Sequence, residues 1–342
     1  VNDELRALLA DVGLPDVGHE DAWDRVVVVR NYGRVPPMPG VPPESSIKGF
    51  KLLLLDRRRR PAWFGRCGWA GDAAMVRESA LLGTLAGDAA ARRNLPEVRS
   101  ATGPRLHLQV SRYLGTRSFA RIQRRQRIGA WVRCVSEIIA VARQVADRAT
   151  EVVPDLAAMA RPEVRRASLE TDLRRLEERG IAPATLRVLR SPLELAMALP
   201  PRLQHGDLWP SNVLRKSGTW WLIDFAEFGA VWTPMYDVFH MLKLAPDRAG
   251  SDAWYASLGA SRREPWTRAR GAVLTPVAAR EGLAPVQAGA AFVRYLVHLA
   301  AYRLRPGVPR KYSDALVSEI QRVAEFLGGE GTLETLLPLG PP

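Results

Sequence analysis

The sequence predicts an α+β protein in two lobes: a small β-rich N-terminal lobe with one helix, residues 1–112, and a large mainly helical lobe, residues 113–342. Three observations support this. Short apolar runs bounded by turn chemistry crowd the first third of the chain. Apolar residues at helical spacing dominate the remainder. A length of 342 residues exceeds what a single core usually organises.

Residues 24–30 (DRVVVVR), 49–55 (GFKLLLL) and 62–69 (AWFGRCGW) read as strands. Between the first two, VPPMPGVPPESS is a Pro-rich loop that cannot continue a ladder, and DRRRRP makes the next turn. Residues 72–86 form a helix with Asp72 as N-cap and Met75, Ser79, Leu82, Leu85 and Ala86 along one face. One or two further strands fit between Arg105 and Val110, and Tyr113-Leu114-Gly115 marks a hinge. Helices are expected over 118–150, 155–179 and 183–198, broken at Pro154, Gly180-Ile181 and Pro192, with Pro200-Pro201 as the final stop. Others follow near 236–246, 263–281, 286–305 and 311–327, and the tail GTLETLLPLGPP reads as a loosely held end.

Composition narrows the function classes. Hydrophobic and charged contents of 47% and 25% suit a globular enzyme. No apolar stretch approaches the ~20 residues of a membrane span, and VNDELRALLADVG lacks a signal-peptide core. Cys67 and Cys134 have no metal spacing, read as buried fillers, and fit a reduced cytoplasm. The net charge of +13 comes from arginine: of 49 basic residues only Lys48, Lys51, Lys216, Lys243 and Lys311 are lysines, leaving 44 arginines. That richness, with abundant alanine, glycine and proline, fits a GC-rich coding bias. No nucleic-acid motif accompanies the charge, so nucleic acid is not an expected partner. The clusters Arg57–Arg60 and Arg121–Arg127 can steer anionic ligands instead.

The chemistry concentrates in HGDLWPSNVLRKSGTWWLIDF, residues 205–225. Asp207 can hold a substrate hydroxyl and take its proton. Asn212, five residues on, and Asp224, after a short hairpin, can offer oxygen ligands to Mg²⁺ on nucleotide phosphates. Asp207 and Asn212 share one tight loop, so three oxygens come from two segments.

At these residues the chain resembles the aminoglycoside phosphotransferase and choline kinase family, small-molecule relatives of the protein kinases. The pattern H-G/N-D-x-x-x-x-N followed by I-D-F/W is met at His205, Gly206, Asp207, Asn212, Ile223, Asp224 and Phe225. The resemblance implies a protein-kinase-like two-lobe fold and transfer of the γ-phosphoryl group of ATP, or of GTP, with Mg²⁺. It implies Asp207 as the catalytic carboxylate and Asn212 and Asp224 as metal ligands. His205 resembles a loop-supporting histidine, and Asp237 a carboxylate that braces the catalytic region from a helix start.

The small lobe departs from that pattern. Where relatives place a strand lysine paired to a helical glutamate, FGRCGW offers Arg66, and Glu78 fits the acid. Arg66 is the favoured phosphate contact, with Lys48 and Lys51 as alternatives. No GxGxxG occurs; PESSIKGFK, with Ser45, Ser46 and Lys48, is the candidate phosphate-covering loop. The hinge backbone near Ser111–Tyr113 is where adenine is expected. These departures leave a nucleotide-binding scaffold without turnover as the alternative to a small-molecule kinase. The acceptor is expected to be a hydroxylated, sugar-like compound or an antibiotic. Acids beyond residue 237 are scattered (Asp247, Asp252, Glu264, Glu281), which favours a neutral or anionic acceptor over a polycation.

Overall fold

The computed structural model describes residues 2–14, 26–31, 49–243, 265–304 and 310–340. Ser45, Ser46 and Lys48, and the acids Asp247, Asp252 and Glu264, lie outside them. The chain forms two compact units, one of residues 1–117 with 214–226, the other of 118–213 with 227–342. The segment 214–226, although inside the region read as helical, packs with the first unit.

The first unit is an antiparallel sheet of five strands: β1 (Val26–Asn31), β2 (Phe50–Leu55), β3 (Pro61–Trp69), β4 (Val98–Thr102) and β5 (Leu106–Arg112), in the order β1-β2-β3-β5-β4. Strand β4 lies upstream of the region between Arg105 and Val110. Its sequence, VRSAT, has no apolar run to betray it, and it is held at the sheet edge by pairing with β5.

Two helices cover the sheet. Helix α1 (Asn2–Asp11), which the sequence reading did not anticipate, sets Leu5, Leu8, Leu9 and Val12 on one stripe. They pack on Leu52, Leu54, Trp63, Cys67, Leu108 and Val110, and each such burial contributes roughly 1.5–3 kcal/mol. Glu4 of α1 accepts the backbone N–H groups of Arg105 (2.7 Å) and Leu106 (2.9 Å), tying the helix to the β4–β5 turn. Helix α2 (Ala73–Gly87) starts where Asp72 Oδ1 accepts the Met75 N–H at 3.2 Å, as an N-cap should. Because side chains alternate along a strand, His107 and Gln109 face opposite to Leu108 and Val110. His107 links Ser79 of α2 (2.8 Å) to Thr102 of β4 (2.7 Å). The hairpin β6 (Val213–Lys216) and β7 (Thr219–Leu222) turns on Ser217 and Gly218, both at positive φ (49° and 83°), the backbone a tight two-residue hairpin requires.

The second unit is helical: α3 (Phe119–Gln123), α4 (Ile128–Val152), α5 (Pro154–Met159), α6 (Pro162–Glu178), α7 (Pro183–Ala198), α8 (Tyr236–Lys243), α9 (Pro265–Arg280), α10 (Pro285–Arg303) and α11 (Arg310–Gly328). Pro154 and Gly180 punctuate as expected, but Pro192 does not. Helix α7 runs through it, because buried Leu186, Leu189, Leu193 and Ala196 hold the helix in register despite one lost hydrogen bond. Helix α10 is buried on every side from Ala288 to Ala301, the signature of a central helix. The tail is not loose. Leu336, Leu337 and Leu339 are buried, and the chain passes so close to α9 and α10 that a Cβ on Gly271 or Gly289 would lie 2.4 Å from Pro338 O or 2.2 Å from Leu333 O. Among the described residues no helix is long and apolar enough to cross a membrane.

Candidate active site

In the second unit the loop after α7 carries His205, Gly206 and Asp207. Gly206 adopts φ +83°, and a Cβ there would stand 2.6 Å from Glu227 O, so only glycine fits. The loop is pinned from the first turn of α8. Asp237 Oδ2 accepts the His205 N–H at 2.7 Å, and Oδ1 accepts the Gly206 N–H at 3.0 Å. Its own N–H donates to Gln204 Oε1 at 3.1 Å. Burial pushes the Asp237 carboxyl up to about 7, against the two N–H bonds that favour the carboxylate. Asp237 therefore braces the loop, and His205, buried beside the Phe228 ring, lies within it.

Asp207 is held on both oxygens. Asn212 Nδ2, on the 3-10 turn Pro210–Asn212, donates to Asp207 Oδ2 (3.0 Å) and to its carbonyl (2.9 Å). These bonds engage the amide nitrogen of Asn212 and leave the acceptor role to its Oδ1. His240 Nε2 approaches Asp207 Oδ1 at 3.4 Å, a long polar contact rather than a well-aligned hydrogen bond. Burial raises the Asp207 carboxyl, but the contact with His240 and the neighbouring His205 and Arg303 outweigh it and hold it below its ordinary value. Burial lowers His240 itself to about 4, so at neutral pH its ring offers an N–H dipole, not a full charge. The ring packs between Trp209 (centroids 3.6 Å), Tyr236 (5.7 Å, stacked) and Tyr295 (5.9 Å), and Arg303 lies 5.5 Å over Trp209.

Sequence reasoning missed His240. A signal was available: it stands three residues after Asp237 on α8, and residues three apart share a helix face.

In the first unit Arg66 of β3 and Glu78 of α2 form the expected pair, with Nη2 to Oε2 at 2.7 Å and Nη1 to Oε1 at 3.4 Å. Arg66 Nη1 also reaches Asp224 Oδ1 at 3.4 Å. Glu78 Oε1 in turn accepts the Phe225 N–H at 2.9 Å, so one buried carboxylate ties the β3 arginine to the Ile223-Asp224-Phe225 segment. Burial raises the Glu78 carboxyl, with the Arg66 charge opposing it. Asp224 sits at φ +66°, a strained backbone that turns the chain directly after β7. Lys51 pairs opposite Arg66 across β2 and β3 and therefore shares its face, with Nζ 5.7 Å over the Phe64 ring. Ser111 lies within β5, paired to Phe64 and Val98. The Tyr113 N–H donates to Ala62 O (2.9 Å), and the Tyr113 carbonyl accepts from Lys216 Nζ (3.3 Å).

The profile of the phosphotransferase enzyme family (APH) matches residues 71–279, more than half of the chain and inclusive of Glu78, Asp207, Asn212, Asp224 and Asp237. The chain belongs to that family. It is a family of phosphotransferase enzymes. No curated protein matches the sequence of this chain. Among solved structures it is similar to an ADP-bound aminoglycoside phosphotransferase, APH(2″)-Ib, at 13% identity and a TM-score of 0.52, covering 87% of this chain and 95% of that one. It is also similar to choline kinase from Cryptosporidium parvum Iowa II, at 10% identity and a TM-score of 0.52, covering 96% and 97%. At such identities the likeness is one of fold: a small antiparallel lobe and a large helical one, as in protein kinases.

Proposed function

We propose that the protein is an ATP- and Mg²⁺-dependent small-molecule kinase that transfers a γ-phosphoryl group to a hydroxyl of a sugar-like or antibiotic acceptor. The observation that carries this is the state of Asp207. It is a carboxylate kept ionised, fixed by Asn212, on a loop whose backbone Asp237 immobilises. Such a group can receive the proton of an acceptor hydroxyl without reorganising. In phosphoryl transfer, where the transition state is loose, positioning of that kind is most of what a protein contributes. The acceptor oxygen forms the new bond to phosphorus, its proton passes to Asp207, and the nucleoside diphosphate leaves.

Asn212 Oδ1 and the Asp224 carboxylate are proposed as the metal ligands. Both are hard oxygens, as Mg²⁺ prefers, and they lie at the two ends of the β6–β7 hairpin. When bound, the ion neutralises charge on the phosphates. Arg66, in the position of the usual lysine, is proposed to touch a nucleotide phosphate while Glu78 orients it. Ser45, Ser46 and Lys48 remain the proposed phosphate cover, and the strand end from Ser111 to Tyr113 the adenine contact. The ADP bound in the aminoglycoside phosphotransferase neighbour supports nucleotide use.

The test is nucleotide consumption across sugars, aminoglycosides, nucleosides and amino alcohols, with the product located by phosphorus NMR, beside calorimetry of ATP binding with and without Mg²⁺. Metal-dependent binding that disappears in Asp224→Ala is expected. Equal, metal-independent affinity in both proteins would reject the ligand assignment. Nucleotide binding without turnover of any acceptor would favour the scaffold reading.

A further inference from the structure

The second unit contains a cavity of ≈ 160 Å³ formed by α5, α6, α7, α10 and residues 230–233, with Arg165, Ser168, Met197, Trp232, Arg294 and His298 among its lining. That volume is comparable to cavities that hold a benzene-sized molecule, about 150 Å³. The lining carries two guanidinium groups and an imidazole but no carboxylate.

Asp172 is already engaged by Arg294 and His298 of the lining. Asp172, buried behind the cavity, accepts from Arg294 Nη1 at 2.8 Å and is 2.9 Å from His298 Nδ1. Arg165 has no carboxylate partner among the described residues. Its Nη1 and Nη2 meet only the carbonyl of Leu199, each at 3.4 Å. Burial, and then the positive charge of Arg294, hold its guanidinium below the ordinary value, which is the condition of a cation short of a counter-charge. A half-buried arginine in that condition is costly unless an anion completes it.

We propose that this cavity binds a small organic monocarboxylate at Arg165, with the body of the molecule against Met197 and Trp232. A single unneutralised guanidinium matches a monoanion, and its planar fork matches a carboxylate. Packed rings stand between the cavity and Asp207: His298 meets Tyr236 edge-on at 5.6 Å, Tyr236 stacks on His240 at 5.7 Å, and His240 touches Asp207, so the cavity is a site of its own and not part of the catalytic loop.

The test is calorimetric titration of the full chain at neutral pH, without nucleotide, using three probes of one shape: para-hydroxybenzoate, its neutral amide and para-hydroxybenzylamine. The carboxylate should bind about tenfold or more tightly than the amide, as a charge-assisted pair implies, and the amine should not bind. Arg165→Gln should bring carboxylate and amide to equal affinity. Arg165→Lys should keep part of the preference, which separates loss of charge from loss of fold. Equal affinity for all three probes, no binding of any, or a carboxylate preference that persists in Arg165→Gln would overturn the proposal. Because no nucleotide is present, the outcome of this titration is independent of the kinase reading.

Discussion

Lowering the pH from 7 to 5 should remove stability contributed by one buried ring, that of His240. His240 is about 1% exposed, enclosed by Trp209, Tyr236 and Tyr295, and its folded value of about 4 lies below the ordinary 6.5. Between those values the unfolded chain binds a proton that the folded chain refuses, so stability falls as pH falls. The slope approaches 1.36 kcal/mol per pH unit per proton, which gives about 2 kcal/mol between pH 7 and pH 5 and about 3 kcal/mol once pH 4 is passed. Asp237 works the other way. Its value, raised from 3.8 to about 7, means the folded chain holds more protons in that range, and stability from this group falls as pH rises. The net curve mixes both groups, so the measurement is a difference. Denaturant unfolding of the parent and of His240→Phe, at pH 7 and pH 5, should show the variant losing about 2 kcal/mol less than the parent. Phenylalanine fills the aromatic surround but cannot take the proton. Parallel pH dependence in the two proteins would refute the burial argument for His240.

Three further outcomes follow from the site. Asp207→Asn should leave nucleotide affinity nearly unchanged and lower turnover by on the order of 10² or more, the usual contribution of a positioned base; steady-state kinetics beside calorimetry checks both halves, and activity within a few-fold of the parent defeats the assignment. Arg66→Ala should raise the nucleotide KM and lower kcat together, with Arg66→Lys recovering only part, since the fork that spans both Glu78 oxygens is lost. If Lys51→Ala or Lys48→Ala is instead the crippling change, the phosphate contact belongs to that lysine. Gly206→Ala should cost on the order of 1–3 kcal/mol in thermal or denaturant unfolding, because φ +83° and the 2.6 Å approach to Glu227 O both exclude a Cβ; an alanine variant as stable as the parent would show that the loop readily adopts another path.

What could be read from the sequence was what is local in it. Residues 205–225 lie consecutively, so the loop, the hairpin and their oxygen-bearing side chains were visible as a string. Helix α7 was placed at 183–198 because apolar periodicity and the stop at Pro200-Pro201 both act within a few residues. Contacts between distant segments were less legible. The stripe of α1 has meaning only against β2, β3 and β5. Strand β4 is a strand because β5 supplies its partners. The tail is fixed because Gly271 and Gly289 leave room for its backbone. Pro192 shows tertiary packing overruling a local breaker. His240 belongs with these: its spacing from Asp237 could place it on the helix face of that acid, but its contact with Asp207 joins segments far apart in the chain.

In the role proposed for it, Arg66 offers Glu78 a geometry that a lysine could not. An ammonium is a point donor and would engage Glu78 from one direction. The guanidinium spans both Glu78 oxygens, at 2.7 and 3.4 Å, and still directs Nη1 toward Asp224 at 3.4 Å. Glu78 itself is fixed from the other side by the Phe225 N–H. Sheet, helix and post-hairpin segment are thereby joined through one buried acid, so any shift of α2 moves Arg66 and the Asp224 backbone together. Removing Glu78 alone would leave Arg66 with only Asp224, drawing the guanidinium onto the proposed metal ligand. Glu78→Gln is therefore expected to weaken Mg²⁺-dependent nucleotide binding more than Arg66→Ala does, and to do so without contact between residue 78 and the nucleotide. Titration of ATP with increasing Mg²⁺ distinguishes the cases. An unchanged Mg²⁺ requirement in Glu78→Gln would mean that something other than this acid keeps Arg66 from closing further onto Asp224.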